Sequence, residues 1–94
     1  MFQAAAQQSN AEHMDLEQKS IERSRRDFEV FRKKADFTID DEWKLLADIT
    51  DLLGWYRIDK KSQILSLAEK MIAFGEAKNW SMAGPRTLLN QAGN

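Results

Sequence analysis

The chain carries one proline, Pro85, and four glycines, the first of them Gly54. Tight turns draw on these residues, and a sheet protein of 94 residues would need many such turns. So few turn formers leave long helices with short connections as the expected architecture. The length fits one small domain, and a hydrophobic content of 43% is enough for a packed core. Cysteine is absent, which removes disulfides, thiolate nucleophiles and cysteine-ligated metals together.

Periodicity places the helices at about 12–35, 39–53 and 60–79, within a helical domain spanning 12–80. In the first, Met14, Ile21, Phe28 and Ala35 fall seven apart, with Glu17, Ser24 and Phe31 between them. That is a narrow heptad seam, polar in its middle. Met14, Ile21, Phe28 and Phe31 are therefore the expected oligomer seam. Residues 1–11, rich in Ala and Gln, are expected to form a flexible N-terminal segment.

Thr38 or Asp40 is the expected N-cap of the second helix, with Asp41 and Glu42 in its first turn. Its apolar set is Trp43, Leu45, Leu46, Ile49, Leu52 and Leu53, and Gly54 stands where a left-handed cap would end it. Asp59 is the expected N-cap of the third helix. There Ile64, Leu65, Leu67, Ala68, Met71, Ile72 and Phe74 cover about half the circumference at ~100° per residue. The segment 81–94 contributes a short helix that begins near Pro85. The fold expected is all-α: a long N-terminal helix, an αα-hairpin and a short C-terminal helix. This small helical bundle is expected to be completed by oligomerisation, because the hairpin shows more apolar face than two helices cover.

Charge is segregated along the chain. Residues 19–34 hold seven basic and three acidic side chains, whereas residues 37–54 hold one basic and five acidic. The whole chain has a formal charge of −1. Lys19, Arg23, Arg26, Lys33 and Lys34 share an arc of about 100° opposite the apolar seam. They are expected to form an exposed basic face for partner binding. Arg25 and Arg32 flank the seam and are placed to reach the acidic second helix.

The inventory for chemistry is poor. His13 is the only histidine, with Glu12 and Asp15 beside it, and would ligate a metal only with help from another subunit. No triad, calcium loop or glycine-rich phosphate loop is present in the sequence. No catalytic residue, metal ligand or cofactor is expected. Trp55, Tyr56 and Trp80 lie near element ends and are candidate anchors for a partner. The segment ITDLLGWYRIDKKSQILSL loosely fits a helix-turn-helix with Lys60, Lys61, Ser62 and Gln63 opening a recognition helix. Its GWYRID connection is longer than the usual turn, so an ordinary αα-hairpin is preferred.

The opening residues lack the basic region and apolar core of a secretory leader, and no apolar run approaches the ~18–20 residues of a membrane span. A cytoplasmic protein is expected. The function expected is a small non-enzymatic interaction module, a regulator, inhibitor or assembly adaptor, that binds a protein partner and forms a homo-oligomer. The alternative is a nucleic-acid-binding regulator that uses the basic face or the start of the third helix.

Overall fold

The computed structural model describes residues 2–92, with side chains from His13 to Ala92. Four helices and no strand occur among these residues: α1 (Phe2–Lys33), α2 (Ile39–Asp59), α3 (Ser62–Ala77) and α4 (Ala83–Ala92). None of them is long and apolar enough to cross a membrane.

α1 begins at Phe2 rather than at residue 12, so helix runs through most of residues 1–11 as well. The side-chain packing of residues 1–11 lies outside the described residues. α1 stops at Lys33, and a short corner leads to Thr38. There the hydroxyl oxygen of Thr38 accepts from the Asp41 backbone N–H (3.4 Å), and the Asp41 carboxylate accepts from the Thr38 N–H (2.9 Å). This reciprocal capping box satisfies two donors that a helix start would otherwise leave orphaned. Lys34 Nζ donates to the same Asp41 oxygen at 2.7 Å, which ties the end of α1 to the start of α2. Lys34 first, then the Thr38 backbone N–H, hold the Asp41 carboxyl below the usual carboxylate range.

Gly54 does not end α2. The helix continues through Trp55 and Tyr56 to Asp59, and Lys60 takes the left-handed cap instead (φ 57°), donating its N–H to the Tyr56 carbonyl at 2.8 Å. A glycine inside a helix costs only ~1 kcal/mol relative to alanine. Two aromatic side chains beyond it pack against the core and offset that cost. GWYRID is thus helix rather than connection. Asp59 closes α2 instead of capping α3, whose N-cap, Lys61, makes no side-chain capping bond.

α3 ends in a tight turn with Asn79 at φ 63°, a conformation asparagine tolerates better than most residues. The turn returns Met82 onto Gly75, where a Cβ would stand 2.6 Å from the Met82 sulfur. Pro85 lies in the first turn of α4, where its missing N–H has no intrahelical partner to lose. Arg86 forks onto Glu76 (3.1 and 2.6 Å), joining α4 to α3.

The core is one cluster. It combines Ile21, Phe28 and Phe31 of α1 with Leu45, Ile49, Leu52 and Leu53 of α2 and Ile64, Ala68, Met71 and Ile72 of α3, closed by Met82 and Leu89. Each such burial is worth roughly 1.5–3 kcal/mol relative to exposure. α2 packs against all three other helices, and no contact joins α1 to α4 among the described residues. The wide apolar face of the hairpin is thus covered from one side by α1 and from the other by α4, within a single chain.

Candidate functional site

The expected oligomer seam splits. Ile21, Phe28 and Phe31 are buried inside the chain, whereas Met14 is 62% exposed. The buried arc of α1 is set instead by Glu17, Ser20, Ser24, Phe28 and Phe31, all buried. A seven-residue spacing drifts ~20° per repeat on a 3.6-residue helix, which carries Met14 to the edge of that arc. The seam is an internal one, and its polar positions are sealed against α2 with the rest.

That shift divides the five-residue basic face. Arg23 leans onto α2 and donates to Asp51 at 2.8 Å, with Asp48 at 3.8 Å. Lys34 serves Asp41 at the corner. Lys19 pairs with Asp15 one turn back on its own helix (3.0 Å). Arg26 and Lys33 are exposed and have no carboxylate partner among the described residues. The two flanking arginines expected to reach α2 do not. Arg32 pairs with Glu29 at 3.0 Å and lies over the Phe28 ring, and Arg25 has no ion pair among the described residues.

The candidate anchors are engaged within the chain. Trp55, Tyr56 and Trp80 are half-buried and pack on the core. Trp55 Nε1 donates to Ser20 Oγ at 3.0 Å. Trp80 belongs to an edge-to-face group with Phe37 and Phe74, centroids 5.4 and 6.0 Å away, which Phe28 extends to α1. Lys78 caps that group from outside, 4.7 Å from the centre of Phe37. Lys60 lies over the Tyr56 ring, and Lys61 salt-bridges Glu17, so neither is a free opening residue of a recognition helix.

Two constellations sit in the α1–α2 interface that no single-helix reading could show. Asp27 and Asp48 face one another across the two helices, each with a buried carboxylate oxygen whose one available partner is the other carboxyl when it holds a proton. Arg23 and Lys44 (3.4 Å from Asp27) reach them from the rim. Burial first, then the hydrogen bond and charge of Asp27, push the Asp48 carboxyl up to about 7, against the opposing pull of the two cations. Desolvation disfavours the charged form, and two carboxyls in contact keep a proton between them.

The second constellation surrounds His13. Its Nε2 lies 3.2 Å from Asp59 Oδ2, at the end of α2, and 4.0 Å from Glu17 Oε2, one turn along α1. Glu17 is 1% exposed, and Lys61 holds its Oε1 while Oε2 has no hydrogen-bond partner. Trp55 stands edge-on to the imidazole at 5.0 Å. Of the companions of His13 expected from the sequence, Asp15 is not part of this group, and the side chain of Glu12 lies outside the described residues. The four-residue spacing to Glu17 was the visible signal. Asp59 had none, because it arrives from another helix.

The outer face of α2 remains uncovered. Ile39 and Trp43, the latter expected in the core, are 67% and 65% exposed. With Leu46, Ala47 and Thr50 they form a row along one side of the helix. From Thr50 the row enters a groove between α2 and α4, where Leu53 and Leu88 face it and Arg57 and Lys60 stand at its far end. Neither cation has an ion-pair partner among the described residues. Gly54 leaves open space there, since a Cβ at that position would meet nothing within 4 Å. Comparison with protein-family models, curated proteins and solved structures found no match to this chain.

Proposed function

We propose that this chain is a non-enzymatic interaction module, a regulator, inhibitor or assembly adaptor, that holds an amphipathic helix of a protein partner along α2. The observation that carries the reading is the exposed row Ile39–Trp43–Leu46–Ala47 leading into the α2–α4 groove at Leu88. Arg57 lies fourteen residues beyond Trp43, ~21 Å along the helix, room for a four-turn partner. Arg57 and Lys60 at the groove's end complement an acidic terminus on that partner. A rim charge of this kind directs orientation more than it adds affinity.

Selection of a library of helical peptides on the immobilised chain tests this. Enriched sequences should share an apolar stripe and acids near one end. Leu88→Asp should weaken a selected peptide at least ~tenfold, since it places a charge in the apolar contact. Arg57→Glu should weaken it several-fold, and Arg26→Glu, on α1, should leave it unchanged. No enrichment, or peptides indifferent to Leu88→Asp, would overturn the reading. A solution mass above 10.9 kDa that Trp43→Ala returns to the monomer would assign the face to a second copy of the chain instead. Salt-dependent binding of random-sequence DNA, lost on neutralising Arg26 and Lys33, would favour the nucleic-acid alternative.

A further inference from the structure

We propose that His13, Glu17 and Asp59 bind a divalent transition-metal ion of the zinc class. One nitrogen and two carboxylate oxygens from two helices converge so that all three ligand atoms lie within 4.8 Å of one another. At the ~2.1 Å bond lengths of zinc to histidine and carboxylate, a tetrahedral centre sets its ligand atoms ~3.4 Å apart. The separations of 3.2 Å (His13 to Asp59) and 4.0 Å (His13 to Glu17) bracket that value, so small side-chain rotations close the set.

The independent indication is the state of Glu17. A carboxylate oxygen buried without a partner is costly, and buried polar atoms nearly always have one. Glu17 Oε2 has none, although the side chain is fixed by Lys61 through Oε1. The unpartnered oxygen is the one within 4.0 Å of the imidazole. A cation placed there satisfies it, while Lys61 plays the part of the outer partner that orients a ligating carboxylate. A hard ion such as magnesium or calcium asks for six or more oxygens, and three protein ligands with an imidazole among them suit zinc, cobalt, nickel or copper better. His13 and Asp59 keep side-chain exposures of 36% and 29%, which leaves an entry path and a fourth position open to water.

Calorimetry with zinc chloride on the full chain, in buffer free of chelators, should show one ion per chain. Cobalt or copper should quench part of the tryptophan fluorescence, because Trp55 adjoins His13. His13→Ala and Asp59→Ala should each reduce affinity at least ~tenfold with little change in far-ultraviolet dichroism, since both side chains are partly exposed. Lys61→Gln should lower affinity, because Glu17 loses the partner that orients its carboxylate. Absence of binding at millimolar zinc, or equal binding by His13→Ala, would overturn the proposal. So would quenching that Asp59→Ala leaves intact, since that marks adsorption elsewhere on the surface.

Discussion

Around Phe28, α1 meets its neighbours through rings: Phe28, Phe74, Phe37 and Trp80 stack edge to face with centroids 5.4–6.0 Å apart, under the ammonium of Lys78. Three turns earlier, around Glu17, the same helix meets them through charges and hydroxyls: Glu17 with Lys61, His13 with Asp59, Ser20 with Trp55. The two ends answer to different physics. Edge-to-face ring pairs add ~0.5–1.5 kcal/mol each beyond the area they bury. A buried ion pair returns little net stability, because desolvation of both charges consumes most of the attraction. The aromatic end is where α1 is held. The polar end fixes register and offers chemistry, and it carries the orphaned oxygen of Glu17.

The contrast breaks first if Phe28 does not dominate. Phe28→Ala should cost ~3–5 kcal/mol. At ~4–8 °C per kcal/mol for a domain of this size, the melting temperature should fall by more than ~12 °C or folding should fail. Phe28→Leu, which keeps most of the volume, should lose less than half as much. A Phe28→Ala protein that melts within a few degrees of wild type would mean that α1 is held elsewhere.

A change of pH sharpens the polar side. The native state keeps the Asp48 proton up to about 7, whereas the unfolded chain releases it near the ordinary value of 3.8. Between these values the native state binds the extra proton, so stability should fall as pH rises through the window and level off above it. Asp41 and Glu76 are shifted the other way, Asp41 chiefly by Lys34 and Glu76 by Arg86. Their contributions are present above the ordinary carboxylate range and are lost below it, outside the window. Thermal melts at pH 5 and pH 8 should differ in wild type and nearly coincide in Asp48→Asn. An undiminished difference in the variant would remove the Asp27–Asp48 pair as its source.

The smallest effect should lie on the outer face of α1. Arg26→Gln with Lys33→Gln should shift the melting curve by no more than the ~0–1 kcal/mol typical of exposed charges. Arg23→Gln, which removes a bridge to Asp51, should do measurably more. Equal effects would mean that the division of the basic face is energetically empty.

Which of these features could be read from the sequence follows from how far each interaction reaches. The Thr38 cap and, Trp43 apart, the buried rows of α2 and α3 are local, set by residues three and four apart, and they stand where the pattern placed them. The path of α2 through Gly54 was hidden, because a small propensity cost was overruled by Trp55 and Tyr56 packing on other helices. The fate of Arg23 and Lys34 depended on which side of the seam faces α2, and a helical wheel of α1 alone cannot show that. Asp27 with Asp48, and His13 with Asp59, are pairings across helices at separations where the sequence carries no period.

The central position of α2 has a kinetic side. α1–α2, α2–α3 and α3–α4 are each neighbours in sequence as well as in space, and among the described residues α1 and α4 have no mutual contact to find. Most loops that must close are short, so the search is short, and helical proteins of such local topology fold in microseconds to milliseconds. Both ends of α1, the aromatic and the polar, dock against the hairpin that α2 begins. Amide protons in the middle of α2 should therefore exchange only through global unfolding. Those in the first turn of α1, at a helix end, should exchange through openings that leave the rest of the bundle intact.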